Sequence, residues 1–379
     1  MCARIILTGL ILCFGFKMSL AAVTVGTCRP GKSSYPTISA AIAAAPEWDV
    51  VDVCPGTYAE QLEIDKPLTI RGVEGTPTIV APSTGLNELP AGSGFFPQVV
   101  ADNAREVRLH NLAIDGGDAL FNIGGVVLGV EAYCPEGAIT NFTGVYFVNT
   151  SGILEDMNVS GQFGESAPGV FPQLIPNCGN GIVFHGSWHH VVRRSTVSDV
   201  GFYGVFADGD LIAEHNVVSG GNGPFGIGIA AGTGKISDNT VTGTVSFQKT
   251  IGIEGGDLVK GNDVKFSIYG IANAGSVREN TLNNNAISLS VVERAFGNLI
   301  SAPPTYFNPA PEFGTCNGTP EAVPCPTIGI DFRCEAMGQV MKNNIRGVGI
   351  GFANAPKGER INRMNTLTNV TTISTTCSQ

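Results

Sequence analysis

Apolar and polar residues alternate in short segments along most of the chain, and glycine or asparagine punctuates them. Segments such as "GKISDNTVTG" and "AGSVRENTL" alternate with a period of two. This period is typical of a strand, because an amphipathic helix repeats every ~3.6 residues. A second kind of segment pairs glycine with a β-branched residue, as in "GIVF", "YGVF", "GIGI" and "YGIA". The pattern therefore predicts two or three short strands between successive turns.

An asparagine recurs at one place in this pattern. Its clearest occurrences, separated by 23, 23, 18 and 18 residues, are Asn216, Asn239, Asn262, Asn280 and Asn298. Ser195 fits one repeat earlier, and Asn344 and Asn365 extend the series once a Pro-rich insertion is removed. Asn158 and Asn111 extend it upstream if other insertions are allowed. A period of about 18–24 residues is typical of a solenoid.

The repeat predicts a parallel β-helix, an all-β coil in which each turn of chain lies over the previous one. Strands of neighbouring turns lie about 4.8 Å apart. An inward asparagine at the same turn of each repeat can therefore hydrogen-bond to the asparagines above and below it. We expect the repeated asparagines to be primarily structural.

A solenoid needs a capped end, and residues 34–73 predict one. Pro36 is suited to the first turn of a helix, and Ile38, Ala41, Ile42 and Ala45 then form an apolar stripe that ends by Pro46. The segments "VVDVCPGTY" and "PLTIRGV" follow as the first strands. A short helix over the end of the coil would cover otherwise bare strand edges.

The segment "YPTISAAIAAAP…VDVCPGTYAEQLEIDKPLTIRG" resembles the start of pectin-esterase-like proteins, and the later repeats resemble the pectin-lyase-like superfamily. This resemblance covers most of residues 28–379 and implies a right-handed parallel β-helix with a short N-terminal capping helix. The superfamily contains lyases, hydrolases, esterases, epimerases and non-catalytic proteins, so the fold does not imply a reaction.

The catalytic motifs of these families are mostly missing. The stretch "GIDFRC" shares only Asp331 and Phe332 with the methylesterase strand "Asp-Phe-Ile-Phe-Gly". The stretch "ADGDLIAEHNVV" is a partial match to polygalacturonases, and "GSWHHVV" keeps the Trp and a His of a pectate-lyase element without its Asp. No activity follows from these motifs.

The first 21 residues have the pattern of a secretory signal peptide. Arg4 precedes an apolar run from Ile5 to Phe16, and small residues follow up to Ala21 and Ala22. Residues 22–379 are then one β-helix domain, and we expect it to be secreted or periplasmic, with no membrane span after cleavage. An uncleaved anchor is the alternative interpretation.

Eight cysteines follow the signal segment, and an even number in an exported chain suggests disulfides. We predict the pairs Cys28 with Cys54 and Cys316 with Cys325. The remaining connectivity stays open and concerns Cys134, Cys178, Cys334 and Cys377.

Composition and charge narrow the classes of partner. Of the 379 residues, 50 are glycine and only 14% are charged, which favours many tight turns over helical bundles. The formal net charge is −10 and no basic run occurs, so nucleic-acid binding is not expected. The same charge opposes long-range attraction of an anionic polysaccharide.

The densest group of polar residues lies between positions 181 and 216. His185 lies four residues after Gly181, and Asp208 lies four residues after Gly204. Equal offsets on successive repeats would make the two side chains neighbours. A histidine beside a carboxylate can act as a general base, because the acid fixes its tautomer.

Asp210 shares a face with Asp208 if their segment is extended, and the two would suit acid–base catalysis or a cation. We therefore predict His185, Asp208 and Asp210 as catalytic residues. Trp188, His189 and Arg193 are predicted to bind substrate, with Trp188 as a platform for a sugar ring. The alternative is a surface pair of His185 and Asp208, with Trp188 covering the coil. No motif supports a cofactor, and calcium stays open.

Long insertions are expected near residues 80–97, 116–141, 160–177 and 301–327, where they would wall a groove along the coil. Together these features favour a secreted protein that binds or acts on polysaccharide or a cell-surface glycan, as a lyase or hydrolase. The alternative function is a non-catalytic surface or structural β-helix, such as an adhesin or a binding module.

Overall fold

Strands of successive repeats pair in parallel, so the chain winds into a coil with three faces. A computed structural model describes residues 23–30, 34–117, 119–123, 125–129, 141–162, 179–219, 226–243, 250–307, 324–335, 339–356 and 364–377. Each turn of the coil, here called a rung, contributes one strand to each face. The predicted parallel β-helix is confirmed. The predicted signal peptide lies outside the described residues.

The first face contains the strands that pair glycine with β-branched residues in the sequence. Its strands are Leu62–Ile64, Phe95–Asp102, Asn141–Val148, Asn180–His185, the first half of Tyr203–Glu214, the first half of Ile227–Ser237, Ile251–Gly255, Tyr269–Ala272, Ile287–Ser290, Ile328–Asp331, Ile350–Ala355 and Thr372–Thr376.

The second face follows the first along the chain in each rung. Its strands are Val23–Val25, Val50–Val53, Leu68–Gly72, Glu106–His110, Ser151–Glu155, His189–Arg193, the second halves of Tyr203–Glu214 and Ile227–Ser237, Leu258–Lys260, Ser276–Arg278, Arg294–Phe296 and Gln339–Met341. Ser34–Tyr35 pairs with the first of these strands.

The third face is a sheet of three-residue strands. They are Thr57–Ala59, Thr78–Val80, Ala113–Asp115, Asn158–Ser160, Thr196–Ser198, Val217–Ser219, Thr240–Thr242, Asp263–Lys265, Thr281–Asn283, Leu299–Ser301, Asn344–Arg346 and Thr366–Thr368. Two antiparallel hairpins lie outside the coil and consist of Leu120–Ile123 with Val126–Gly129 and Thr305–Phe307 with Pro324–Pro326.

The core runs along the inside of the coil as columns of apolar side chains. One column of the first face is fully buried and contains Val205, Ile229, Ile253, Ile271, Leu289, Ile330 and Phe352. Burying each such side chain stabilises the fold by about 1.5–3 kcal/mol before entropy costs. This column explains why the first-face segments are rich in isoleucine and valine.

A ladder of buried asparagines joins the rungs where the second face turns into the third. The ladder consists of Asn216, Asn239, Asn262, Asn280, Asn298, Asn343 and Asn365. The Nδ2 of Asn239, for example, donates to Oδ1 of Asn262 at 2.9 Å and to the carbonyl of Ala213 at 2.9 Å. Each amide thus satisfies both its own donors and a backbone group of a neighbouring rung.

Three predicted members of the ladder are wrong by one residue. Asn343, not Asn344, hydrogen-bonds to Asn298, and Asn344 begins the next third-face strand. Upstream, Asn158 likewise lies in the third face, and Asn111 has a left-handed backbone one residue before the ladder position. In each case the predicted asparagine adjoins the inward-facing residue, which is Asn343, Met157 or Leu112.

The predicted helix covers the N-terminal end of the coil. It spans Ile38–Ala44, with Ile38, Ala41 and Ile42 buried against the first rungs. Its N-cap is Thr37, whose hydroxyl accepts from Ala40 N, so Pro36 precedes the helix rather than lying in its first turn. The Glu60 carboxylate accepts from the backbone amides of Ile38 and Ser39.

Two disulfides fasten the two ends of the coil. Cys28 bonds to Cys54 near the helix, the pair that the sequence predicts. Cys334 bonds to Cys377 near the last rungs, a pairing that the sequence left open. Cys325 is also disulfide-bonded, but its predicted partner Cys316 lies outside the described residues.

Of the four predicted insertions, residues 80–97 lie wholly within the described part. Gln61 holds this segment by hydrogen bonds to the carbonyls of Asn87 and Pro97. Leu89 and Phe95 then pack on the outside of the first face. Most of residues 116–141, 160–177 and 301–327 lie outside the described residues. Within the described part of the chain, no helix combines the length and apolar character that a bilayer span requires.

Candidate functional site

The predicted histidine and aspartates meet at the corner where the first face turns into the second, here called the first corner. His185 ends the first-face strand Asn180–His185, and Asp208 lies on the next rung within Tyr203–Glu214. The pairing of Phe184 with Ala207 puts the following residues side by side. Nδ1 of His185 accordingly contacts Oδ2 of Asp208.

This contact fixes the protonation pattern of a neutral His185. Because a carboxylate only accepts hydrogen bonds, Nδ1 of the imidazole carries the proton and Nε2 is left as an acceptor. The side chains of His185 and Asp208 are about one third and one half exposed, so the pair is accessible to solvent. The pair has the arrangement of a general base with an orienting carboxylate.

A second histidine–aspartate pair lies on the other side of the same corner. Nδ1 of His189 lies 2.5 Å from Oδ2 of Asp210, and the two residues pair across neighbouring rungs. The sequence assigned Asp210 to a joint site with Asp208 and His189 to substrate binding. Instead, each aspartate has its own histidine.

The two aspartates separate because the strand Tyr203–Glu214 shifts its register between Ala207 and Asp210. Gly209 fills this irregularity, and a Cβ there would lie 2.7 Å from the carbonyl oxygen of Gly186. The absence of a side chain at Gly209 therefore lets the two rungs approach closely. The consequence is a corner with two separate histidine–aspartate pairs.

Aromatic rings surround the first pair on the outside of the first face. The ring of Phe95 stacks on Tyr146 with centroids 4.1 Å apart, and both rings meet the imidazole of His185 edge-on at 5.4 and 5.6 Å. The ring of Phe206, on the next rung, also meets the imidazole of His185, with centroids 5.6 Å apart. On its other side Phe206 contacts the ring of Tyr203, with centroids 4.6 Å apart. These rings form a strip along the coil.

Two tyrosines of this strip stay protonated at neutral pH. Burial raises the pKa of Tyr146 to about 12, and the carboxylates of Asp208 and Asp102 add to the shift. Burial also raises the pKa of Tyr203, helped by Glu254 and Asp208. Both hydroxyls therefore remain hydrogen-bond donors rather than bases.

The predicted binding residues differ in their surroundings. Trp188 lies in the turn of the first corner and is 47% exposed, so much of its side chain is accessible to solvent. His189 belongs to the second pair. Arg193 lies farther along the second face, where its guanidinium contacts Oε1 of Glu155. Arg193 is thus an ion-pair partner within the coil, away from the first corner.

A second-face cluster that the sequence prediction missed surrounds His110. Nε2 of His110 lies 2.9 Å from Oδ2 of Asp156, and Glu155 is close enough for the three ligand atoms to lie within 4.8 Å of one another. Arg194 binds Asp156, with Nε 2.9 Å from Oδ1, and this contact lowers the pKa of the Asp156 carboxyl. The two carboxylates are therefore already neutralised by Arg193 and Arg194.

The sequence does contain signals for the missed contacts. His189 and Asp210 each lie six residues before the ladder positions Ser195 and Asn216. Counting forward from Gly181 and Gly204 does not align His189 with Asp210, because the first corner of the earlier rung is two residues longer. Counting back from the ladder also aligns His110 with Glu155 on the second face, since each lies two residues before its ladder position.

Beyond the two pairs, the first corner continues as an open trough of about 440 Å³. Its lining is mostly backbone and small or polar side chains, and comprises Gly232, Gly256, Asp257, Asn273, Ala274, Gly275, Val291, Glu293 and Arg294. A Cβ at Gly232 would lie 2.2 Å from the carbonyl oxygen of Asp208. The trough therefore begins directly next to the first pair.

No protein-family model and no curated protein matches this chain. Solved structures of low identity do match it. The A-module of the mannuronan C-5 epimerase AlgE4 of Azotobacter vinelandii shares 12% identity at a TM-score of 0.41, over 87% of this chain and 91% of that one. The periplasmic alginate epimerase AlgG shares 11% at a TM-score of 0.44, over 86% and 74%.

A pectin methylesterase in complex with a hexasaccharide shares 11% identity at a TM-score of 0.36, over 91% of this chain and 92% of that chain. The likeness is one of fold. It does not assign a reaction to this chain.

Proposed function

We propose that this protein is an extracytoplasmic carbohydrate-active enzyme that binds a polysaccharide along the first corner. His185 acts there as the general base, and Asp208 is its positioning partner. The observation that carries the proposal is the His185–Asp208 contact inside a strip of aromatic rings, beside an exposed tryptophan. Two disulfides at the ends of the coil agree with an oxidising compartment.

Each part of the strip has a role with a sugar chain. The exposed indole of Trp188 offers an apolar platform for the face of a sugar ring, while its N–H end stays polar. Nε2 of His185 then takes a proton. In one case the proton comes from a water that attacks the anomeric carbon, and the glycosidic C–O bond breaks; in the other it comes from the ring carbon next to an esterified C6, and the C–O bond at C4 breaks. The departing glycosidic oxygen receives a proton from the imidazolium or from water. The first case is hydrolysis and the second is elimination. Asp208 stabilises the imidazolium that forms.

A panel of polysaccharides, assayed for new reducing ends and for unsaturated products, tests the proposal and separates the two reactions. We expect His185→Gln and Asp208→Asn each to lower kcat by a factor of about 10²–10⁴, the usual contribution of a general base. Trp188→Ala should instead weaken substrate binding about tenfold with a smaller effect on kcat.

The matched control is His110→Gln. His110 also has a carboxylate partner, Asp156, but lies on the second face outside the first corner. Its substitution should leave activity unchanged. Activity that survives the combined change of His185 and Asp208 would remove these residues from catalysis. Binding without any turnover would favour the alternative, a non-catalytic glycan-binding β-helix.

A further inference from the structure

We infer that the first corner selects glycans without carboxylate or sulfate groups, an inference that rests on the proposed function and names its class of substrate. The trough next to the two histidine–aspartate pairs has a volume of about 440 Å³, in which further sugars of a bound chain can lie. Its charges decide which sugars these are.

Carboxylates line the corner at every second rung from Asp208 to Glu293. Asp208 and Asp210 face the histidines, Glu254 lies on the outside of the first face, and Asp257 and Glu293 line the trough. Asp257 is exposed, and its Oδ2 accepts from Gly234 N at 2.9 Å, which holds the carboxylate at the corner. The carboxylate of Glu254 accepts from Nδ2 of Asn273 at 3.0 Å.

Positive side chains are fewer than carboxylates at this corner. Arg333 lies one rung beyond Glu293, and its guanidinium lies 5.4 Å from the centroid of the Tyr269 ring. Arg294 lines the far end of the trough beside Glu293, and it is the one Lys or Arg among the lining residues that the structure describes. On the second face, Nε of Arg278 donates to Oγ of Ser276 next to the trough at 2.7 Å. Three further cations of this face are paired with other carboxylates. Lys235 contacts Glu214 at 2.6 Å, and Arg193 and Arg194 contact Glu155.

The glycines of the corner add a second feature. Cβ atoms at Gly232 and Gly275 would lie 2.2 and 2.8 Å from carbonyl oxygens of the preceding rung. The close stacking of the rungs thus requires glycine at these positions. As a result, the floor of the trough consists of backbone without side chains. A floor of peptide groups offers hydrogen bonds to sugar hydroxyls, whereas an anionic sugar would meet an excess of carboxylates of its own sign.

Matched glycan pairs that differ only in charge test the inference. One pair is a homogalacturonan oligomer and its full methyl ester, and another is a β-glucan and its sulfated derivative. Affinities are measured with the full chain at low ionic strength in the presence of a chelator. We expect the uncharged member of a pair to bind at least about tenfold more tightly, and the difference to shrink as salt is added.

Charge variants then locate the effect. Glu254→Gln combined with Asp257→Asn should narrow the difference between the two members of a pair. Asp199→Asn removes one charge from an exposed turn next to the third face and should leave the difference unchanged. Asp199 is a suitable control position, because asparagine also tolerates the left-handed backbone conformation of this residue.

The possible failures are distinguishable. Equal or tighter binding of the anionic members would overturn the inference and leave the proposed function standing. A difference that Asp199→Asn reduces as much as the corner variant would also overturn it, because net charge alone would then act. Absence of binding to any glycan of a broad panel, charged or not, would overturn the proposed function itself.

Discussion

The imidazole of His190 stacks on the ring of Phe184 inside the coil, with the two centroids 4.3 Å apart. His190 is fully buried, whereas its neighbour His189 faces solvent. Neither ring nitrogen of His190 makes a hydrogen bond of normal geometry within the described residues. Burial lowers its pKa to about 4, and the nearby backbone of Gly186 opposes this only in part.

The low pKa predicts a loss of stability in mild acid. In the unfolded chain His190 takes up a proton near its ordinary pKa of about 6.5, while in the folded chain it stays neutral down to about 4. Stability is therefore complete above pH ~6.5 and falls as the pH drops towards 4, by about 2–3 kcal/mol at pH 4.5. Unfolding in urea across this range measures the slope.

The matched variant is His190→Leu, because Leu211 occupies the same position one rung later. This variant should lose that part of the pH dependence of stability. It should keep or exceed the parent's stability at pH 7.5, since it removes a buried imidazole whose ring nitrogens make no hydrogen bond of normal geometry within the described residues. If the variant and the parent lose stability equally between pH 6.5 and 4.5, the source lies in other groups.

Of the adjacent residues Asn343 and Asn344, only Asn343 belongs to the asparagine ladder. Oδ1 of Asn343 accepts from both the backbone and the side-chain nitrogens of Asn298, and its Nδ2 donates to the carbonyl of Ala295 and to Asn365. Asn343→Ala should lower the free energy of unfolding by about 2–4 kcal/mol, because several buried partners lose their hydrogen bonds.

Asn344→Ala is the control, since Asn344 contacts only the Nε of Arg346 near the surface among its described side-chain hydrogen bonds. It should change stability by less than about 0.5 kcal/mol. Urea unfolding of the two variants decides between them. Equal losses would contradict the register of this rung.

Asn343 and Asn344 show how far the structure can be predicted from the sequence alone. The repeat period predicts the coil, the ladder and the contact of His185 with Asp208, because residues at equal offsets in successive repeats are neighbours in space. It does not resolve a slip of one residue where two asparagines are consecutive, as at Asn343 and Asn344, although such a slip reverses which side chain faces inward.

Corners and insertions limit prediction in a different way. The pair of His189 with Asp210 depends on corner lengths that differ by two residues between rungs, so no single starting point finds both pairs. His110 and Glu155 are paired across one rung although they lie 45 positions apart in the sequence. The strip of Phe95 and Tyr146 likewise depends on how the 80–97 segment folds back, which no local pattern specifies.

Gly152 faces the core next to two aromatic rings. A Cβ at this position would lie 2.3 Å from Cδ2 of Phe147 and 2.6 Å from Cε1 of Phe184. Gly152→Ala should therefore lower the free energy of unfolding by about 1–3 kcal/mol through overpacking. Thermal unfolding of the variant measures this cost.

Gly117→Ala provides the comparison, because among the described residues a Cβ there would meet only Oδ1 of Asp115, at 3.3 Å in an exposed turn. It should have little effect. Adding Phe147→Leu to Gly152→Ala should recover part of the loss, since it makes room for the new methyl group. No recovery would mean that the strain lies with Phe184 or with the backbone.

The Cys28–Cys54 bond closes a loop of 26 residues that contains the capping helix Ile38–Ala44. In the chain-entropy model a loop of this length contributes about 3–4 kcal/mol by restricting the unfolded chain. Replacing both cysteines by serine should lower stability by up to this amount. The first rungs should open first, because the helix covers the exposed edges at that end of the coil.

Hydrogen exchange read residue by residue measures where the coil opens. The double serine variant should lose protection in the helix and in Val23–Val25, Val50–Val53 and Leu62–Ile64, while the later rungs keep theirs. Replacing Cys334 and Cys377, which bond near the other end, should do the reverse. If either variant loosens all rungs equally, the coil unfolds as one cooperative unit, and the disulfides stabilise it as a whole rather than fastening its ends separately.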